Sequence, residues 1–179
     1  MKVTGYDLRD ALTRLNNRKT LLQSQWDSQT FVFEGEEGDP DAVFDQILAI
    51  ENRIVRVQLA QDAYNLLAVA VIESQDGTQE MPLAQVIKFV GPIRRASKLW
   101  RQYAQDGDMD PYYGRRRNRA RTRNAETEEA RRVVSAETCM ERHERYQDLE
   151  LAYGNAIAKA NAQIIDVTSL SASDLQMEV

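Results

Sequence analysis

The chain has 179 residues, 42% of them hydrophobic and 28% charged, with a formal net charge of −5. That composition supports a folded core and excludes a disordered polyelectrolyte. No apolar run approaches the roughly eighteen residues of a membrane helix, and Met1–Tyr6 lacks the apolar stretch of a secretory signal. The single cysteine, Cys139, rules out an internal disulfide, and together these features point to the inside of a cell.

From the N-terminal end, Leu8, Leu12, Leu15, Leu22 and Trp26 recur at spacings of four and three, with Lys19 at the one missing place. This predicts an amphipathic helix over about 4–28, capped by Thr4 or Asp7 and roughly 35 Å long at 1.5 Å per residue. Phe31-Val32-Phe33 reads as a short extended segment or lid, and Glu34–Asp39 as an acidic, glycine-bearing turn. Asp39-Pro40 then opens a second helix, with Asp at the N-cap and Pro in the first turn.

That second helix carries the clearest pattern in the chain. Val43, Ile47, Ile50, Ile54, Val57, Gln61 and Tyr64 step by four and three throughout, a three-heptad seam. Five of the seven are β-branched, a choice that helix propensity does not favour and that shape-specific packing does. Val43, Ile47, Ile50, Ile54 and Val57 are therefore candidates for a subunit interface. The intervening Asp45, Glu51, Arg53 and Arg56 read as a solvated face.

Leu66–Ile72 is apolar throughout and leads to Asp76-Gly77, a turn dipeptide in which glycine tolerates positive φ. A hairpin of about 69–73 with 78–81 is expected. A third helix, about 82–105, has Val86, Phe89, Val90, Ile93, Leu99, Trp100 and Tyr103 as its apolar side. Gly91-Pro92 either kinks it or divides it. Residues 105–126 form a basic loop insertion rich in breakers, and Arg132–Ala136 reads as a strand that joins the hairpin. The last helix, from about Glu137 to Ile164, presents Tyr146, Leu149, Tyr153, Ala156, Ile157, Ala160 and Ile164. Residues 166–179 read as a flexible tail. The fold class expected is mainly α: an antiparallel long-helix bundle, one domain over 1–165, with a small β-hairpin or short antiparallel sheet.

The order of these elements resembles the septicolysin-like group of small bacterial and phage helical proteins. Glu34-Gly35, Asp39-Pro40, Asn65, Asp76-Gly77, Arg94-Arg95 and Ile157-Ala158-Lys159-Ala160-Asn161 carry the resemblance, over most of 6–165. The chain departs from that pattern in having Ala162 where a tryptophan is expected, and in the insertion at 105–126. The resemblance implies a helical homo-oligomer in the cytoplasm of a bacterial cell, encoded by the bacterium or a phage. It implies no particular activity.

Candidate chemistry is sparse. His143, the only histidine, sits in Glu141-Arg142-His143-Glu144-Arg145 and reads as a surface residue of the last helix. Cys139, four residues earlier on roughly the same face, reads as a core or interface filler. Asp106, Asp108 and Asp110 lack the glycine and closing glutamate positions of a calcium loop, and no phosphate-loop or dinucleotide glycine motif occurs. Neither a cofactor nor a metal is expected.

The arginines carry more information. Arg115, Arg116, Arg117, Arg119, Arg121 and Arg123 lie within nine residues that contain no acid, a local +6, so the remainder of the chain carries −11. Their planar forks suit phosphate oxygens, Tyr112 and Tyr113 could stack on a base, and Lys98 and Arg101 could add charge from the third helix. Equally, the arginines could pair with the acidic remainder of this chain or of a neighbouring subunit. Two functions stay open: a non-enzymatic oligomeric scaffold or interaction protein, and a nucleotide or short nucleic-acid binding protein that uses the arginine-rich loop.

Overall fold

A computed structural model describes residues 1–31, 38–105, 133–168 and 170–175. The acidic turn and the arginine-rich insertion, with Tyr112 and Tyr113, lie essentially outside the described residues. Among the described residues the elements are β1 (Lys2–Val3), α1 (Gly5–Thr30), α2 (Pro40–Leu67), β2 (Val69–Ser74), β3 (Gly77–Pro82), α3 (Leu83–Gln105), α4 (Ala136–Asn161), β4 (Ile165–Asp166) and α5 (Ala172–Leu175). The protein is mainly α, as the sequence predicts, and among the described residues it has two small antiparallel two-stranded sheets, the expected hairpin β2–β3 and the pair β1–β4. No helix among these residues is long and apolar enough to cross a membrane.

Local chemistry sets the helix starts. Thr4 and Asp7 form a reciprocal capping box: Thr4 Oγ1 accepts from Asp7 N at 3.2 Å, and Thr4 N donates to Asp7 Oδ2 at 2.8 Å. Those Thr4 hydrogen bonds hold the Asp7 carboxyl below the ordinary aspartate value. Asp39 Oδ1 accepts from Ala42 N at 3.1 Å, with Pro40 opening α2. The hairpin turns through Gln75-Asp76, and Gly77 takes φ +119 immediately after, a conformation that side-chain-bearing residues rarely adopt. Helix α3 continues through Pro92, so the Gly91-Pro92 pair does not divide it.

The sequence leads to the expectation of a single helical domain over 1–165; by packing, the chain groups into two compact units. The first takes its described residues from 1–71, 79–86 and 156–175. Its core is the α1–α2 pair. Gly5 faces Tyr64 and Lys19 Nζ lies 2.6 Å from Glu51 Oε1, so the numbering runs in opposite directions and the helices are antiparallel. Leu8, Ala11, Leu15 and Leu22 on α1 and Val43, Ile54, Val57, Ala60 and Tyr64 on α2 are buried.

The end of α4 closes this unit by an arrangement the sequence does not reveal. A helix leaves its last carbonyls without intrahelical donors. Here Tyr6 Oη donates to Ala158 O at 3.2 Å, and Tyr64 Oη lies 2.7 Å from Ala160 O and 2.8 Å from Gln163 O. Burial raises the Tyr64 phenol above its ordinary value, which keeps the donating proton in place. The Gln163 amide extends the edge of β2 as a short strand would: Nε2 donates to Val69 O at 2.6 Å and Oε1 accepts from Val69 N at 3.3 Å.

Of the segment expected as a flexible tail, residues 166–168 and 170–175 are described, and they meet β1, α1 and α2. Strand β4 pairs with β1, Lys2 opposite Asp166 and Val3 opposite Ile165, and Val167 and Leu170 are buried. Asp174 is buried as well. Burial opposes its ionisation, but hydrogen bonds from Ser171 Oγ (2.7 Å) and N (3.1 Å) and from Arg56 Nε (2.8 Å) outweigh that, and its pKa falls below the usual 3.8. Arg53 Nη2 donates to Ser173 O at 2.6 Å, and Arg14 Nη2 to Leu175 O at 3.2 Å. Small polar residues read as frayed from sequence because their partners are more than a hundred residues distant.

The second unit comprises described residues within 72–78 and 87–155. Here α3 and α4 are joined by Arg94 Nε to Glu150 Oε1 (2.7 Å), Ser97 to His143 (3.0 Å) and the Arg142 guanidinium over the Trp100 ring (4.6 Å). Val133–Ser135 do not form the strand expected over 132–136. Ser135 begins α4 instead, its Oγ accepting from Thr138 N at 3.0 Å, and the helix starts at Ala136. A serine hydroxyl at a helix start outweighs the β propensity of two valines.

Candidate docking face on the second helix

The seam that marks α2 in the sequence is consumed within the chain. Val43, Ile54 and Val57 are buried against α1, and Ile47 and Ile50 are half-buried at the same seam. Of the five interface candidates, Val43, Ile54 and Val57 thus offer no free surface, and Ile47 and Ile50 offer part of theirs. An antiparallel neighbour of 26 residues is already present in the chain as α1, a pairing that no periodicity count on α2 alone can assign.

A second apolar series on α2 has no such neighbour among the described residues. Phe44, Leu48, Val55, Leu59 and Leu66 are between 51% and 67% exposed. Their spacings are four, seven, four and seven, so the series repeats every eleven residues. Eleven residues are close to three full turns, and at about 100° per residue the five side chains lie within about 60° of one another. They form a straight stripe about 33 Å long, from Phe44 to Leu66, at 1.5 Å per residue. The stripe is turned well over 90° from the buried seam by the same reckoning.

Acids punctuate it. Glu51 and Asp62, again eleven apart, fall in line with the apolar residues, and Asp41 and Asp45 flank its first turn. The cations of α2 are Arg53 and Arg56, both engaged with the Ser173–Asp174 segment. The signal was present in the sequence. The charges at the non-seam positions of α2 mask it, because they give that side the look of a solvated face.

No family model, curated protein or solved structure matches this chain. The site is therefore read from its own geometry.

Two other places hold chemistry-bearing groups. His143, expected at the surface, is buried with Ser97. Its Nδ1 lies 3.0 Å from both Ser97 Oγ and Ser97 O, so a protonated Nδ1 finds the carbonyl and an unprotonated one finds the hydroxyl. Nδ1 is satisfied in either tautomer, which favours the entry of an imidazole into this interior. Cys139, one turn earlier, is buried, in keeping with a filler. The arrangement fastens α3 to α4.

The other place is a cavity of about 170 Å³ lined by residues including Ser74, Gln75, Asp76, Arg145 and Asp148. Its polar groups answer one another: Arg145 Nη2 reaches both Asp76 oxygens at 3.0 and 3.1 Å, and Gln75 Nε2 donates to Asp148 Oδ2 at 3.0 Å. At this size it falls below the roughly 300 Å³ at which small-molecule sites begin. Lys98 and Arg101, the supporting charges expected for a phosphate, are both exposed on α3. The six arginines they would support lie outside the described residues.

Proposed function

We propose that this protein is a non-enzymatic helical scaffold that works by docking a protein partner along the outer face of α2. The observation that carries the reading is the exposed stripe of Phe44, Leu48, Val55, Leu59 and Leu66. Single exposed apolar residues are ordinary; five aligned over six turns are not, and exposed apolar surface rimmed by polar groups marks interaction sites. About half of each side chain is still exposed, on the order of 500 Å² of apolar surface, which matches the largest patch on a typical monomer, often a functional one, and is near the per-partner area of a small interface.

A photo-crosslinking amino acid at Leu59, compared with one at exposed Asp10 on α1, tests this in the cell of origin. The reading expects a discrete adduct at 59 that disappears when Leu48 is changed to serine. A smear, or adducts equal at both sites, refutes it.

A second reading, nucleotide or short nucleic-acid binding, draws on the charge segregation of the sequence: +6 within 115–123 against −11 elsewhere. Tyr112, Tyr113, Arg115, Arg116, Arg117, Arg119, Arg121 and Arg123 would contact the ligand, with Lys98 and Arg101 in support. Calorimetry against a nucleotide panel, with alanine at Arg115, Arg116 and Arg117, separates it from the first. Salt-dependent binding lost in the mutant favours phosphate recognition, and no binding across the panel eliminates it.

A further inference from the structure

We infer that the partner seated on the outer face of α2 is a cationic amphipathic helix of about six turns. The inference rests on the docking reading above and adds the partner's shape and charge.

Shape follows from the repeat. Phe44, Leu48 and Glu51 recur eleven residues later as Val55, Leu59 and Asp62, and Leu66 begins a third round. Each round is about 16.5 Å long. A second helix presents its own side chains at this interval with almost no angular drift, so apolar residues can meet apolar residues along the whole stripe. An extended strand covers the same distance in about five residues, an odd number, and arrives with its side chain on the opposite face. A helix keeps register with this surface and a strand does not.

Charge follows from what lies in and beside the stripe. Asp62 interrupts the apolar line, and Asp41 and Asp45 flank it, all three exposed. Glu51 occupies the equivalent place one repeat earlier, where Lys19 of α1 already lies 2.6 Å away. That in-chain pair displays the interaction a partner's lysine would make at Asp62. The nearest cations on α2 hold the C-terminal segment. A second copy docking through its own α2 would bring the same acids against the stripe, and like charges across an interface are costly. An anionic lipid surface meets the same objection. A helix with apolar residues on one side and lysines or arginines beside them meets none.

The test uses the full chain and three labelled synthetic peptides of about 22 residues. One has a leucine stripe flanked by lysines, the second has the same stripe flanked by glutamates, and the third has the lysines with the leucines scrambled. Fluorescence anisotropy should show the first binding at least about tenfold more tightly than either control, and more weakly as salt rises. Leu48→Ser with Leu59→Ser should abolish binding while leaving the circular dichroism spectrum unchanged. Asp45→Lys with Asp62→Lys should reverse the preference between the first two peptides.

Equal binding of the lysine and glutamate peptides, still lost in the serine variant, overturns the cationic partner and leaves the docking reading standing. Dimers in sedimentation that the serine variant loses, with no peptide bound, overturn it in favour of a second copy. Association that never depends on Leu48 and Leu59 overturns both the inference and the reading beneath it.

Discussion

The two faces of α2 differ in a way that a matched pair of substitutions can measure. Val57 is 0% exposed and Leu59, two residues on, is 59% exposed. Val57→Ala removes two methyl groups from the α1–α2 core. At about 0.8 kcal/mol per buried methylene, plus a term for the cavity that α1 cannot fill, the loss should be about 2 kcal/mol. Leu59→Ala removes more atoms but from the solvent side, and alanine is the better helix former. Its effect should stay within about 0.5 kcal/mol of zero. Urea unfolding followed by circular dichroism separates the two, provided the protein is dilute. A cost at Leu59 equal to that at Val57, at every protein concentration, would mean that the outer face is packed within the chain, and the docking argument would fail. A cost at Leu59 that grows with concentration would instead show a second copy covering it.

Three further substitutions test how the first unit is closed. Tyr64→Phe removes the hydroxyl that serves Ala160 O and Gln163 O, and thermal unfolding should register a loss of about 1–2 kcal/mol; no loss would mean the carbonyls are served otherwise. Gly5→Ala places a Cβ against Asn161 Oδ1 and 3.0 Å from Tyr64 Cε1, so about 1–3 kcal/mol should be lost despite alanine's helix preference, and a stabilised variant would refute the close approach. Asp174→Asn should cost about 1 kcal/mol at neutral pH, the Arg56 contribution being discounted because that side chain is half exposed. The Asp174 pKa is lowered in the folded state, so its contribution is present above about 3.8 and disappears as pH falls through the folded value. Unfolding curves of wild type and Asp174→Asn should therefore converge below pH 4; a gap that stays constant to pH 2 would exclude the carboxylate as its source.

What could be read from the sequence is what neighbouring residues decide between themselves. The Thr4–Asp7 capping box spans three residues, Asp39-Pro40 is a dipeptide, and the hairpin depends on Asp76 and a glycine free to take positive φ. The seam of α2 was legible for the same reason, since a period of four and three needs only one helix to be visible. Its counterpart at eleven-residue spacing was equally written in the chain, and only a reading that let charge decide the outer face passed over it.

The pairings, by contrast, belong to tertiary structure. Nothing in the periodicity of Val43–Tyr64 distinguishes α1 from a second subunit as its neighbour, because apolar surface is non-directional and any complementary stripe will serve. His143 looked exposed amid four charged neighbours until Ser97, 46 residues away in sequence, supplied both an acceptor and a hydroxyl at 3.0 Å. Ser173, Asp174 and Leu175 look frayed in the sequence, but Arg14, Arg53 and Arg56 meet them from α1 and α2. The sequence by itself determined that the chain makes long amphipathic helices and where they begin, since those choices are settled within a turn or two. Only the fold decided which apolar face would be buried and which left open, because that depends on which stripe finds a partner first within reach of the same chain.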